Sequence, residues 1–248
     1  MSLPDIADRA EWLAARRKLL AREKQLTSMQ DALNADRRRL PMVRIEKEYA
    51  FAGPDGRVSL LDMFEGRRQL VIQHFMFDPE WEGGCSSCSA SVDEISDGVI
   101  AHLHARETTF ALVSRAPIAK LEDYRRRRGW TIPWYSSNGG DFNYDFHVTL
   151  DESVAPLEVN YRMRAEIEAA PSAAWVLRAT QPIETPAVSA FLRDGDDVFH
   201  TNTTYSRGTE YLAGAYTFLD LTALGRQEEW EEPRGRAAAP HGAAPDFS

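Results

Sequence analysis

Gln69-Leu70-Val71-Ile72-Gln73-His74-Phe75-Met76-Phe77, followed after a short gap by Cys85-Ser86-Ser87-Cys88, is the stretch on which the reading of this chain turns. The first part is β-branched and aromatic enough for a buried strand, and residues 78–84 form the turn after it. Beyond the turn, Cys88, Val92, Ile95, Val99 and Leu103 recur at three-or-four spacing, which predicts a helix with Cys85 at or just before its first turn. Unpaired N–H groups and the dipole at a helix N-terminus stabilise an anion, here a thiolate. In C-x-x-C pairs the first thiol pKa falls from about 8.5 to between about 3.5 and 7.5. Cys85 is therefore expected to attack, and Cys88, one turn on and facing inward, to resolve. No other cysteine occurs in the 248 residues. Three further readings of the pair stay open from the residues alone: a static disulfide, two inert thiols, or half of a zinc site. Zinc needs about four ligands and would have to recruit His74, His147 and His200.

Working outward, residues 108–114 read as a second buried strand and 118–128 as a helix ended by Gly129. That strand-helix-strand-helix order implies a βαβ unit with parallel core strands. Residues 188–193 and 198–203 flank Asp194-Gly195-Asp196-Asp197, a hairpin signal, and a last helix is expected over 209–221. A βαβ half with the dithiol at its first strand-to-helix junction, then a hairpin and a closing helix, is the thioredoxin-type arrangement. The fold class is thus α/β, a central mixed sheet flanked by helices. Upstream, residues 49–60 read as a hairpin and 61–66 as a short helix. Residues 1–48 are assigned to an N-terminal helical arm, helical over 5–40 as one helix or a hairpin, with Trp12, Leu19, Leu20, Leu26, Met29 and Leu33 as its stripe. Such a stripe must be covered by its own domain or by a second subunit, which would make a homodimer. The thioredoxin-like domain spans 49–230. Its aromatic-rich segment, about 131–186, is too long for a simple connection and is expected to be an ordered insertion beside the sheet. Residues 231–248, rich in Pro, Gly and Ala, are expected to be a disordered tail.

With 43% hydrophobic residues a sizeable core is available, while the net charge is −9. Residues 1–48 carry eleven Lys or Arg against eight Asp or Glu, so the remainder is strongly acidic. An acidic body argues against nucleic acid as partner. The runs Arg37-Arg38-Arg39 and Arg125-Arg126-Arg127-Arg128 sit at expected helix ends, where cations meet the dipole. The start, Met1-Ser2-Leu3-Pro4-Asp5, leads into a charged helical stretch, so neither a signal peptide nor a membrane span is expected. The expected location is the cytoplasm, where a cysteine pair is catalytic or redox-sensing more often than structural. No cofactor and no metal is expected.

The segments Glu11-Trp12-Leu13-Ala14-Ala15-Arg16, His74-Phe75-Met76-Phe77, Trp81-Glu82-Gly83-Gly84-Cys85-Ser86-Ser87-Cys88-Ser89, Val113-Ser114-Arg115-Ala116-Pro117, Asp141-Phe142-Asn143-Tyr144-Asp145-Phe146 and His200-Thr201-Asn202-Thr203-Thr204-Tyr205-Ser206-Arg207-Gly208 carry a resemblance. Over about residues 8–230 the chain resembles the bacterial thioredoxin-like family catalogued as domain of unknown function 899. Its members are often described as predicted dithiol-disulfide oxidoreductases. The resemblance implies that activity at Cys85 and Cys88. The family commonly has a proline between the cysteines, where this chain has Ser86. Thioredoxins also place a cis-proline opposite the dithiol, for which the candidate is Pro186.

Around the dithiol, Trp81 is expected to wall its mouth, and Glu82 to raise the thiol pKa if close. Arg115, after the second strand, is placed to stabilise a thiolate or hold an anionic substrate, or else to form an ion pair. His200, Asn202, Tyr205 and Arg207 form a polar group beyond the hairpin, and alternation puts His200 and Asn202 on one face. A satisfied core histidine is the commoner outcome for His200. The expected function is a cytoplasmic thiol-disulfide oxidoreductase acting on a disulfide-containing protein or small-molecule thiol. Its rivals are a redox-inactive thioredoxin-like binding module, a Cys/His metal protein and a thiol peroxidase. The last wants a hydroxyl residue three before the attacking cysteine, where Glu82 stands.

Overall fold

The chain is described from a computed structural model, over residues 4–170, 174–212, 214–226, 228 and 230–232. Its described residues divide into two compact units, one of those up to Met42 with those from Phe218 onward, and one built on 43–217. The first contains α1 (Arg9–Arg37), a single helix. Asp8 caps it: its carboxylate accepts the N–H groups of Ala10 and Glu11, each at 2.8 Å, and Glu11 reaches back to the Asp8 N–H. This capping box starts the helix abruptly. None of its residues is buried, and Trp12, Leu19, Leu20, Leu26, Met29 and Leu33 are all exposed.

In the second unit the chain runs β1 (Val43–Arg44), β2 (Ala50–Gly53), β3 (Gly56–Ser59), a 3-10 turn (Asp62–Phe64), β4 (Gln69–His74), α2 (Ser86–Asp93), α3 (Asp97–His104), β5 (Thr108–Ser114) and α4 (Ile118–Arg128). It continues through β6 (Trp134–Ser136), α5 (Phe142–Asp145), β7 (Thr149–Leu150), β8 (Glu158–Val159), β9 (Arg162–Met163), α6 (Arg164–Glu168) and β10 (Ile183–Glu184) to β11 (Ala187–Asp194) and β12 (Asp197–Tyr205). One sheet has the order β1-β12-β11-β4-β5-β6-β2-β3. Within it β4 and β5 are parallel, whereas β11 is antiparallel to both β4 and β12. The four strands β12-β11-β4-β5, with α2 and α3 crossing from β4 to β5, are the thioredoxin-like order.

Alternation along the central strands sends side chains to two cores. Leu70 and Ile72 of β4 and Ala111 and Val113 of β5 join Phe51, Phe64, Phe142, Phe146, Phe191 and Tyr205 on one face. Phe75, Phe77 and Leu112 join Cys88, Val92, Leu121, Ile132 and Trp134 on the other. A third, smaller cluster of Leu150, Leu157, Ile167, Val176 and Ile183 gives residues 150–183 a core of their own.

Several expectations are corrected. The helix after the dithiol is two helices, because Ser96 caps a new one by accepting the Val99 N–H at 3.4 Å, and Val99 is exposed as a result. The segment 131–186 does not lie wholly beside the sheet: β6 pairs parallel with β5 and extends it. Val43 and Arg44, assigned above to the arm, pair with Phe199 and His200 of β12. The last helix is divided into a 3-10 stretch (Ser206–Leu212) and α7 (Gly214–Leu219). The peptide bond before Pro186 is trans, and among the described residues the cis bond is Gln181–Pro182. Of the expected tail, residues 233–248 lie outside the described residues.

Candidate functional site

Three backbone bonds shape the junction between β4 and α2. Phe75 N–H donates to Val113 O, Ala116 N–H to Phe77 O, and Cys85 N–H to Met76 O at 3.0 Å. The last folds the loop 78–84 back on the strand end. Gly84 permits that approach, since a Cβ there would stand 2.5 Å from a Phe75 ring carbon.

Cys85 becomes the N-cap of α2, partly exposed, and Cys88 lies beneath it, 5% exposed. Both are free thiols. The Cys88 N–H donates to the Cys85 sulfur at 3.4 Å, and the Ser87 N–H faces it as well. Cys88's thiol, donating to the same sulfur, outweighs burial and holds the Cys85 pKa down at about 6. Cys88 moves the opposite way, well up, because its proton is engaged by Cys85 and because it is buried. The two sulfurs therefore hold one proton between them around neutral pH, with the charge on the outer one.

Residues not foreseen complete the setting. The Ser89 hydroxyl donates to Cys85 O at 2.9 Å and meets the Tyr124 hydroxyl at 3.0 Å. Tyr124 packs edge-on to Phe75 and Phe77, and its ring also lies near Trp130 and Trp134. The signal for Tyr124 was its spacing of three from Leu121 on α4, which aims both at the dithiol face.

Trp81 lies in the dithiol loop and is 39% exposed. Arg115 is the centre of an inward ion cluster: its guanidinium is held by Asp78 and, at 2.8 Å, by Glu184. Glu184 also accepts from the Thr149 hydroxyl. Arg115 thus ties the start of the dithiol loop to β10, and it is not among the groups that set the Cys85 pKa.

His200 and Tyr205 belong to the face opposite the dithiol. His200 and Asn202 do not share a face, because a bulge at Thr201 shifts the register between Ala190 and Phe191 and reverses the alternation. His200 Nε2 instead meets Thr203 Oγ1 at 2.7 Å; Thr203 meets Ser189 at 2.8 Å, and Ser189 meets His74 Nε2 at 2.7 Å. His74 stacks against Phe142 and Phe146. Burial, aided by His200, holds its pKa at about 3, so it is neutral. The Tyr205 hydroxyl donates to Phe146 O at 3.0 Å. Arg207 is exposed and pairs with Glu210 at 3.2 Å. Among the described residues no group of three or more His, Cys, Asp or Glu side chains is placed to hold a metal ion. Likewise, no described helix is long and apolar enough to cross a membrane.

Over residues 1–241 the sequence matches the model of a family described as "Bacterial protein of unknown function (DUF899)". No curated protein sequence matches. Among solved structures, peroxidoxin BcpB of Mycobacterium tuberculosis is similar at 11% identity, with 67% of this chain and 86% of that one covered and a TM-score of 0.44. A secreted M. tuberculosis disulfide oxidoreductase, homologous to E. coli DsbE, aligns at 12% identity over 66% of this chain and 90% of its own, with a TM-score of 0.34. A putative protein disulfide isomerase from Bacteroides thetaiotaomicron aligns at 18% identity over 42% and 65%, with a TM-score of 0.31.

Proposed function

We propose, from the premise that the chain belongs to the DUF899 family of bacterial proteins, that it is a thiol-disulfide oxidoreductase cycling between dithiol and disulfide at Cys85 and Cys88. Cys85 forms the mixed disulfide with a partner, and Cys88 closes the intramolecular bond and releases it. The observation that carries this reading is the pairing of a partly exposed N-cap thiol, held down at about 6, with a buried thiol one turn below it. Low-pKa, accessible thiols beside a resolving cysteine are the reactive ones. The partner is a disulfide-bearing protein or a small thiol, for which the exposed Trp81 offers an apolar contact. A cytoplasmic setting is part of the same proposal, since a pair of free thiols in that compartment is catalytic or redox-sensing more often than structural.

The test is a thiol titration with and without reductant, alongside turnover of a model protein disulfide. Two thiols should appear after reduction and none after mild oxidation. Cys85→Ser should abolish exchange, while Cys88→Ser should accumulate mixed disulfides. Full exchange activity in both variants would rule the mechanism out.

A further inference from the structure

Resting on that reading, we infer the direction of electron flow: the disulfide form of this protein oxidises partner dithiols, because the fold is built around the reduced pair. Two backbone donors at the first turn of α2, Ser87 N–H and Cys88 N–H, face the Cys85 sulfur. A thiolate satisfies them, whereas a disulfide sulfur is a poor acceptor and leaves them without a charge to stabilise. Cys88 lies among Phe75, Phe77, Val92, Leu112, Leu121 and Trp134. That setting suits a neutral thiol, which behaves as a small hydrophobe, and opposes a thiolate. The influences on the two sulfurs are each other, burial, and the backbone N–H groups of Met76, Ser87 and Cys88, with no charged side chain among them. Tyr124, the other ionisable group in the cluster, meets Ser89 with its hydroxyl. The dithiol state therefore leaves each sulfur in the form its surroundings favour.

The single turnover balances. A partner thiolate attacks Cys85 Sγ, the Cys85–Cys88 bond breaks, and Cys88 takes the proton of the partner's second thiol. That second sulfur then attacks the partner's own sulfur in the mixed disulfide. Cys85 leaves as a thiolate among its donors, and the partner keeps the new disulfide.

Equilibration against glutathione, followed by acid quench and alkylation of free thiols, tests this. In about 5 mM glutathione with a roughly tenfold excess of the reduced form at neutral pH, the protein should be predominantly dithiol. For the wild type the equilibrium constant toward dithiol should be flat below pH about 6. Above that it should climb about tenfold per pH unit, as one proton is released on reduction, until glutathione's own thiol titrates. Ser87→Pro removes one donor at a first-turn position where proline is tolerated. It should shift the constant about three- to tenfold toward the disulfide. A protein that forms the disulfide but keeps it in that buffer, with a constant flat from pH 5 to 8, overturns the direction and leaves the dithiol reading standing. A protein that forms no disulfide at any ratio overturns both.

Discussion

Cys85 differs from an ordinary cysteine through groups that single substitutions can remove. Because the Cys88 thiol is the largest influence holding its pKa down, Cys88→Ala should move the midpoint of the pH profile of Cys85 alkylation upward from about 6. Rates measured from pH 4.5 to 9 would show it, and an unmoved midpoint would assign the effect to the backbone alone. Gly84 makes a second prediction, argued from space. With a Phe75 ring carbon 2.5 Å from its would-be Cβ, Gly84→Ala must displace a packed aromatic and should cost about 1–3 kcal/mol. Gly83→Ala meets nothing nearer than Tyr124 at 3.6 Å and should be close to neutral. Urea denaturation of the two variants separates local packing from a general sensitivity of the loop.

At the scale of elements, two polar assemblies join strands that are distant in sequence. The first, Asp78–Arg115–Glu184, links the loop after β4 to β10, with Glu184 almost fully enclosed. Arg115→Met leaves two carboxylates without their cation and should cost about 3–5 kcal/mol, read as a lower denaturation midpoint. The second runs from His74 on β4 through Ser189 on β11 to Thr203 and His200 on β12. His74 is neutral when folded, with its pKa lowered from 6.5 to about 3. Its folded pKa lies below its unfolded one, so the unfolded chain binds the extra proton. Stability from this group is complete above pH about 6.5 and falls as the pH drops toward about 3, at most about 1.4 kcal/mol per pH unit. Unfolding free energies from pH 7 to 4 should therefore fall less steeply in His74→Asn than in the wild type, and equal slopes would show that His74 does not set the acid limb. His200 is also lowered by burial, so its loss should likewise flatten the fall in stability below its unfolded pKa.

For the whole molecule, the sheet and all three clusters are built from residues 43–217. Deleting residues 1–40 should accordingly leave Cys85 alkylation at its full-length rate, while lowering thermal stability or changing the oligomeric state. Loss of Cys85 reactivity in a folded truncation would contradict this, and light scattering with thermal melts reads the rest. Much of the architecture was legible before any coordinates. The strand read over 69–77, which runs from Gln69 to His74, the helix over 118–128 with its stop at Gly129, the hairpin about Gly195 and the cap position of Cys85 all follow from short-range patterns. Periodicity, capping and turn chemistry act over a few residues, so the sequence by itself determined these elements and the place of the dithiol at a strand-to-helix junction. Only the tertiary structure decided which groups meet across the chain. Arg115 finds Asp78 at a separation of 37 residues and Glu184 at 69, a choice made by strand order rather than by local pattern. One extra residue in β12 turns His200 away from Asn202, because a side-chain period of two reverses with every bulge. Strand neighbours and register are long-range properties, and they placed the histidines on one face of the sheet and the thiols on the other.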